Sequence, residues 1–229
     1  MAFIKNAILA LAATASLTTA AVIAPREGVA SNETTVASES RVSEKTGVSI
    51  MSAPQWYSGP WYNYPTNWLG WEDLWQRNDD MIRLTGSTWD DVGRINVAIW
   101  EASNQYSVDP RVILVIIMQE SHGYVGVRTT YSYQGIPTAG LMQCSGCAGF
   151  PGQTNLPQEW TTEMIMGGTA HFRGNLDNWG GNGWEAWCVY PALREYNSGQ
   201  VNWNDLSDPL GATPEYVSDV SQRLGGWYD

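Results

Sequence analysis

Asp109-Pro110-Arg111-Val112-Ile113-Leu114-Val115-Ile116-Ile117-Met118-Gln119-Glu120-Ser121-His122-Gly123 is the stretch whose reading decides the fold. Its β-branched residues suit a buried strand, and periodicity cannot separate strand from helix where every side is apolar. Other features favour the helix. Asp109-Pro110 is an N-cap followed by proline in the first helical position, where the missing N–H is no loss. The run to Ser121 is long for a strand, and Gly123 is a stop signal. The segment therefore reads as a helix buried nearly all round. It carries Glu120 at its end. Desolvation disfavours the charged form of a carboxyl, so an apolar setting raises its pKa and keeps it protonated near neutrality. That is the state of a general acid.

The flanking sequence is helical in the same way. Thr88-Trp89-Asp90-Asp91 has the form of a capping box closed by Asp, and Val92, Ile95, Ile99, Ala102 and Tyr106 recur at helical spacing. Further helices are expected over 161–178, weakened by Gly167-Gly168, and over 184–197. A last one follows the Thr213-Pro214 cap, with Val217, Val220 and Leu224 on one face and Gly225 at its end. Residues 123–140 read as turns or short strands around Tyr131-Ser132-Tyr133, and 148–157 as a Gly/Pro loop. Trp56, Tyr57, Trp61, Tyr62, Tyr64, Trp68, Trp71 and Trp75 crowd one short segment. They read as a loop-rich aromatic wrap over the outside of the domain, with one or two lining a cleft. There is no internal repeat. One mainly α domain over 54–229 fits the pattern.

The segment before that domain differs in kind. Residues 1–20, a single Lys5 followed by an apolar and small-residue run, have the architecture of a secretory signal peptide. Residues 21–53, rich in Ser, Thr, Glu and Val, are expected to be a disordered linker or propeptide. Asn32-Glu33-Thr34 is an N-glycosylation acceptor within it. A secreted, extracellular monomer without a membrane span is expected. The net charge is −11, more negative by one without Lys5, and there is no basic stripe for nucleic acid. Cys144, Cys147 and Cys188 imply one disulfide and one thiol in an oxidising compartment. A bridge from the Cys144/Cys147 pair to Cys188 is expected, with the partner left open. With only His122 and His171 besides, no metal and no cofactor are expected.

Gln119-Glu120-Ser121-His122-Gly123, then Ala139-Gly140-Leu141-Met142-Gln143, then Glu195-Tyr196-Asn197-Ser198-Gly199 resemble the successive motifs of the lytic transglycosylase SLT family. That family belongs to the lysozyme-like superfamily and is related to goose-type lysozyme. The resemblance covers 109–199, and the middle motif is the most specific. It implies a lysozyme-like domain with a buried catalytic helix and short irregular or β segments beside a cleft. It makes Glu120 the acid that protonates a glycosidic oxygen and then the base that activates the nucleophile. It places Ser121 at the border of that carboxyl, and Gly140, Leu141, Met142 and Gln143 on the cleft floor, with the Leu141 and Met142 side chains packed inward. Tyr196 would reach the carboxyl through its hydroxyl, and Asn197 would contact sugar or backbone. The implied substrate is a polysaccharide, peptidoglycan first.

Ordinary glycosidases pair two carboxylates across the scissile bond. Residues 122–139 contain no Asp or Glu. That favours a single acid, with the muramic acid 6-hydroxyl attacking the anomeric carbon to leave a 1,6-anhydro product. Glu195 is expected on another helix face, His122 at the helix terminus, and His171 packed within its own helix. Trp179, Trp184 and Trp187 are sugar-stacking candidates. The chain departs from the family at Cys144-Ser145-Gly146-Cys147, where an Ile-Met-Pro stretch is common, and at Glu195, where the family has alanine. Two alternatives stand beside peptidoglycan cleavage: a chitinase or chitosanase of the same superfamily, whose neutral or basic polymer suits an acidic protein, and a non-catalytic glycan-binding protein.

Overall fold

The computed structural model describes residues 54–132 and 134–229. The expected signal peptide and linker and the Asn32 acceptor motif lie outside the described residues. A 3-10 turn, Trp61–Asn63, precedes helices α1 (Trp71–Leu84), α2 (Trp89–Tyr106) and α3 (Pro110–Ser121). Strands β1 (Thr130–Tyr131), β2 (Pro137–Ala139) and β3 (Cys144–Ser145) follow, then α4 (Gln158–Asn178), α5 (Ala186–Ser198) and α6 (Tyr216–Leu224). The fold is mainly α.

The ambiguous apolar run is a helix. Asp109 caps it by accepting from the Arg111 amide at 2.9 Å, with Pro110 in the first turn. All residues from 112 to 118 are 0 % exposed. Each such aliphatic side chain contributes roughly 1.5–3 kcal/mol on burial, which outweighs the slight helix penalty of β-branching. α1, α2 and α6 pack against α3, while α2 runs along α4 and α5 bridges α4 and α6. The helix ends on His122 in the left-handed region (φ 48°), followed by Gly123 (φ 74°). A Cβ on Gly123 would lie 2.5 Å from Ile82, so this glycine lets the end of α3 close onto α1.

The capping box of α2 is complete: Thr88 and Asp91 bond each other's backbone amides. Asp91 also accepts from the amides of Asn155 and Leu156 at 2.8 and 2.9 Å. Burial alone would raise its pKa, but these bonds to the charged form hold it below the usual value. One helix was not foreseen. The aromatic segment expected to be loop becomes α1 from Trp71 onward, with Leu74, Asn78 and Ile82 buried one turn apart. Trp71 stacks on Trp75 and meets Trp100 edge-on, so these rings pack helix against helix.

The three strands form a small antiparallel sheet in the order β1-β2-β3. Cys144 and Cys147, with Cα atoms 5.4 Å apart, are bonded to each other across the turn after β3. This corrects the expected bridge to Cys188, which is buried with its thiol free. Cys188 lies on α5 beneath Trp187 and Gly180, while the turn after β3 faces Gly167 of α4.

Candidate active site

Glu120 is half-buried at the C-terminal end of α3. Burial pushes its pKa up to about 7. The negative end of the α3 dipole disfavours its ionised form in the same sense. The Tyr216 hydroxyl donates to Glu120 Oε1 at 2.6 Å and pulls the other way, favouring the carboxylate. The carboxyl is therefore about half protonated near neutrality. It can give a proton and take one back.

Two short contacts tie the other motifs to it. Ser121 Oγ lies 2.7 Å from the Leu141 carbonyl and 3.0 Å from that of Ile117. The Tyr196 hydroxyl donates to the next carbonyl, Met142, at 2.7 Å. The ends of α3 and α5 thus hold two successive peptide groups of the turn at 140–143. The expected bond from Tyr196 to Glu120 is absent, and this is a correction: Tyr216, on α6, makes it instead. Tyr196 is still close enough for the Glu120 charge to act on it. Burial first, and that charge second, raise its phenol well above the ordinary tyrosine value. Tyr216 is raised by the same causes, so both phenols stay protonated and act as donors.

The turn itself is shaped from within. Gly140 has φ +74°, and a Cβ there would overlap the Ala148 carbonyl and crowd Met164. The glycine is demanded by packing as well as by any approach of a sugar. Leu141 and Met142 are fully buried. A Cβ on Gly168 would lie 2.5 Å from Met142, which shows why α4 carries a glycine in mid-helix. Gln143, in the left-handed region at φ 46°, accepts from Thr130 at 2.9 Å and donates to the Gly140 carbonyl at 2.9 Å. Its side chain braces the sheet. Asn197 accepts from the Thr213 amide at 3.1 Å and from the buried Arg194 guanidinium. It positions the approach to α6.

The chain is 38% identical over 111 residues to a transglycosylase of the Enterobacteria phage PRD1. The match covers 45% of this chain and 37% of that protein, so the chain spans little more than a third of its relative's length. No family model matches the chain.

Charged groups from distant segments gather around Gln119, the residue before Glu120. Asp219, one turn past Tyr216 on α6, interacts with Gln119, and burial chiefly raises its pKa. Arg223 donates to Gln119 at 2.9 Å and to Asp229 at 2.7 Å, and His122 lies 3.2 Å from the same Asp229 oxygen. His122 is thereby occupied at the helix end. Glu195 points elsewhere, accepting from Asn178 at 2.8 Å and Trp179 at 2.5 Å. Tyr216, Asp219 and Arg223 lie 96 or more residues from the carboxyl's neighbourhood in sequence. Their only advance sign was the Asp219/Arg223 pair at i,i+4 on the last predicted helix.

Proposed function

We propose that the protein is a secreted peptidoglycan-cleaving enzyme that breaks the MurNAc–GlcNAc bond with Glu120 as its one acid/base. The observation that carries this reading is the half-buried carboxyl with a pKa of about 7, held at the end of an apolar helix by Tyr216. Similarity to a phage transglycosylase supports the same chemistry. Glu120 gives its proton to the glycosidic oxygen as the C–O bond breaks. The muramic acid 6-hydroxyl then bonds to the anomeric carbon and returns its proton to Glu120. No water is consumed, and the carboxyl ends as it began.

In this reading Gln143 borders the sugar, while Ser121, Gly140, Leu141 and Met142, which the resemblance put on the cleft surface, are buried and form the layer that supports it. Tyr196 and Asn197 fix that layer from α5. Secretion accords with the signal-like residues 1–20, with 21–53 as linker and 54–229 as the catalytic domain. Among the described residues no helix is long and apolar enough to cross a membrane. A second reading, hydrolysis by a muramidase, differs only in the nucleophile, with water in place of the muramic acid 6-hydroxyl.

Digestion of purified peptidoglycan and of chitin oligomers, with products weighed by mass spectrometry, separates these readings. A 1,6-anhydro end is expected for the first substrate. A reducing end would establish hydrolysis instead, and cleavage of chitin alone would redirect the substrate. Glu120→Gln is expected to lower the rate by a factor of about 100 to 10,000. Equal activity in that variant would overturn the assignment of Glu120.

A further inference from the structure

At the opposite end of α3 from Glu120 lies a cavity of about 390 Å³, walled by Trp61, Trp68, Trp184 and Trp187. Arg111 lines it and stands nine residues before Glu120, roughly 13 Å away along the helix. Trp187, at the start of α5, stands a similar distance from Tyr196 at its end. The cavity is therefore separate from the Glu120 site.

Its rings are held in place but left uncovered. The loop before α5 is fixed to the α3 cap, since the Asp109 amide donates to the Gly183 carbonyl and Val108 bridges to Gly183. Trp187 rests against the backbone at Gly180, where a Cβ would come within 2.7 Å of the ring. Even so, Trp184 and Trp187 are 47% and 43% exposed. Trp68 spends its indole N–H on the Tyr190 hydroxyl and carries Arg111 over its ring. Among the described residues the indole N–H groups of Trp61, Trp184 and Trp187 have no protein acceptor.

The charges decide what kind of ligand fits. Arg111 is consumed by a bidentate pair with Asp109 and a bond to the Leu69 carbonyl at 3.0 Å. The Glu185 side chain makes no hydrogen bond or ion pair among the described residues, and Glu185 lines the cavity beside the exposed Thr66. An anion would meet an unneutralised carboxylate. A sugar ring offers what the cavity lacks: an apolar face for indoles, hydroxyls that donate to Glu185, and oxygens that accept from the indoles.

We propose that this cavity is a second saccharide-binding site, which holds an uncharged hexosamine unit on Trp184 and Trp187 with its hydroxyls on Glu185. Its part in holding the polymer that Glu120 cuts rests on the function proposed above; the binding itself does not.

The test uses the full chain carrying Glu120→Gln, titrated with chitotetraose while proton–nitrogen NMR follows the indole N–H signals. These are assigned by single Trp→Phe substitutions. Saturable shifts of Trp61, Trp184 and Trp187 are expected, with the Kd raised about tenfold by Trp184→Ala and severalfold by Glu185→Gln. The second variant keeps the test open if the first fails to fold. Shifts confined to Trp179 and Trp203, or unchanged affinity in both variants, would overturn the site. So would shifts produced by tetramethylammonium chloride and not by the oligosaccharide. Pocket shifts in a wild-type chain that cleaves no glycan would keep the site and remove the enzymatic reading; cleavage without pocket shifts would do the reverse.

Discussion

Glu120 makes the protein sensitive to pH in two measurable ways. Its folded pKa of about 7 lies above the ordinary 4.5. A group with a raised folded pKa contributes stability that is fully present below the unfolded pKa and is lost as pH rises through the folded one. The penalty well above pH 7 is on the order of 3 kcal/mol. Glu120→Gln should therefore unfold in urea like the wild type at about pH 4.5 and be the more stable of the two at about pH 8.5. In the wild type kcat/KM should fall above about pH 7, as the acid loses its proton. Tyr216→Phe removes a bond to the charged form, so the alkaline limb should move to higher pH. Tyr196→Phe should leave the limb in place and cost about 1–3 kcal/mol, because it strands the Met142 carbonyl. Glu120 was legible from sequence because its apolar context is local. Its hydroxyl partner was not, since two tyrosines compete for one carboxyl and only the docking of α6 decides between them.

At the scale of elements, caps and apolar periodicity were readable and packing exceptions were not. The boundaries of α2 and α3 follow from Thr88, Asp91 and Asp109, whose bonds are local. α1 was hidden because its tryptophans look like a surface wrap, while the buried Leu74, Asn78 and Ile82 mark the face that forms it. The glycines of α4 looked like a weakness. Gly168 is instead the gap that admits Met142, whereas Gly174 in the same helix has nothing within 4 Å. The two should respond oppositely to alanine. Gly174→Ala gains helix propensity and should stabilise by about 0.5–1 kcal/mol. Gly168→Ala gains the same propensity but overpacks the Met142 contact, at about 1–3 kcal/mol, so its net effect should be destabilising. Urea midpoints of the paired variants check both signs.

Across the whole molecule, contacts between distant segments were the part the sequence concealed. The expected bridge to Cys188 fails because α5 and the turn after β3 face different neighbours, and Tyr216 reaches Glu120 only through the α3–α6 contact. The net charge of −11 needs no fold to read, and it has a consequence for the substrate. An acidic protein approaching an anionic wall is repelled over the Debye length, about 30 Å at 0.01 M salt and 8 Å at 0.15 M. At Gln119, next to Glu120 in sequence, Arg223 is already paired with Asp229, so it offers no surplus positive charge to counter that repulsion. Binding must then come from uncharged contacts, which salt does not weaken. Turnover of intact anionic peptidoglycan at limiting substrate should accordingly rise by roughly two- to tenfold between 0.01 and 0.15 M salt, while turnover of neutral chitin oligomers stays flat. A fall in the first rate over that range would mean that the protein presents a positive surface that its composition does not reveal.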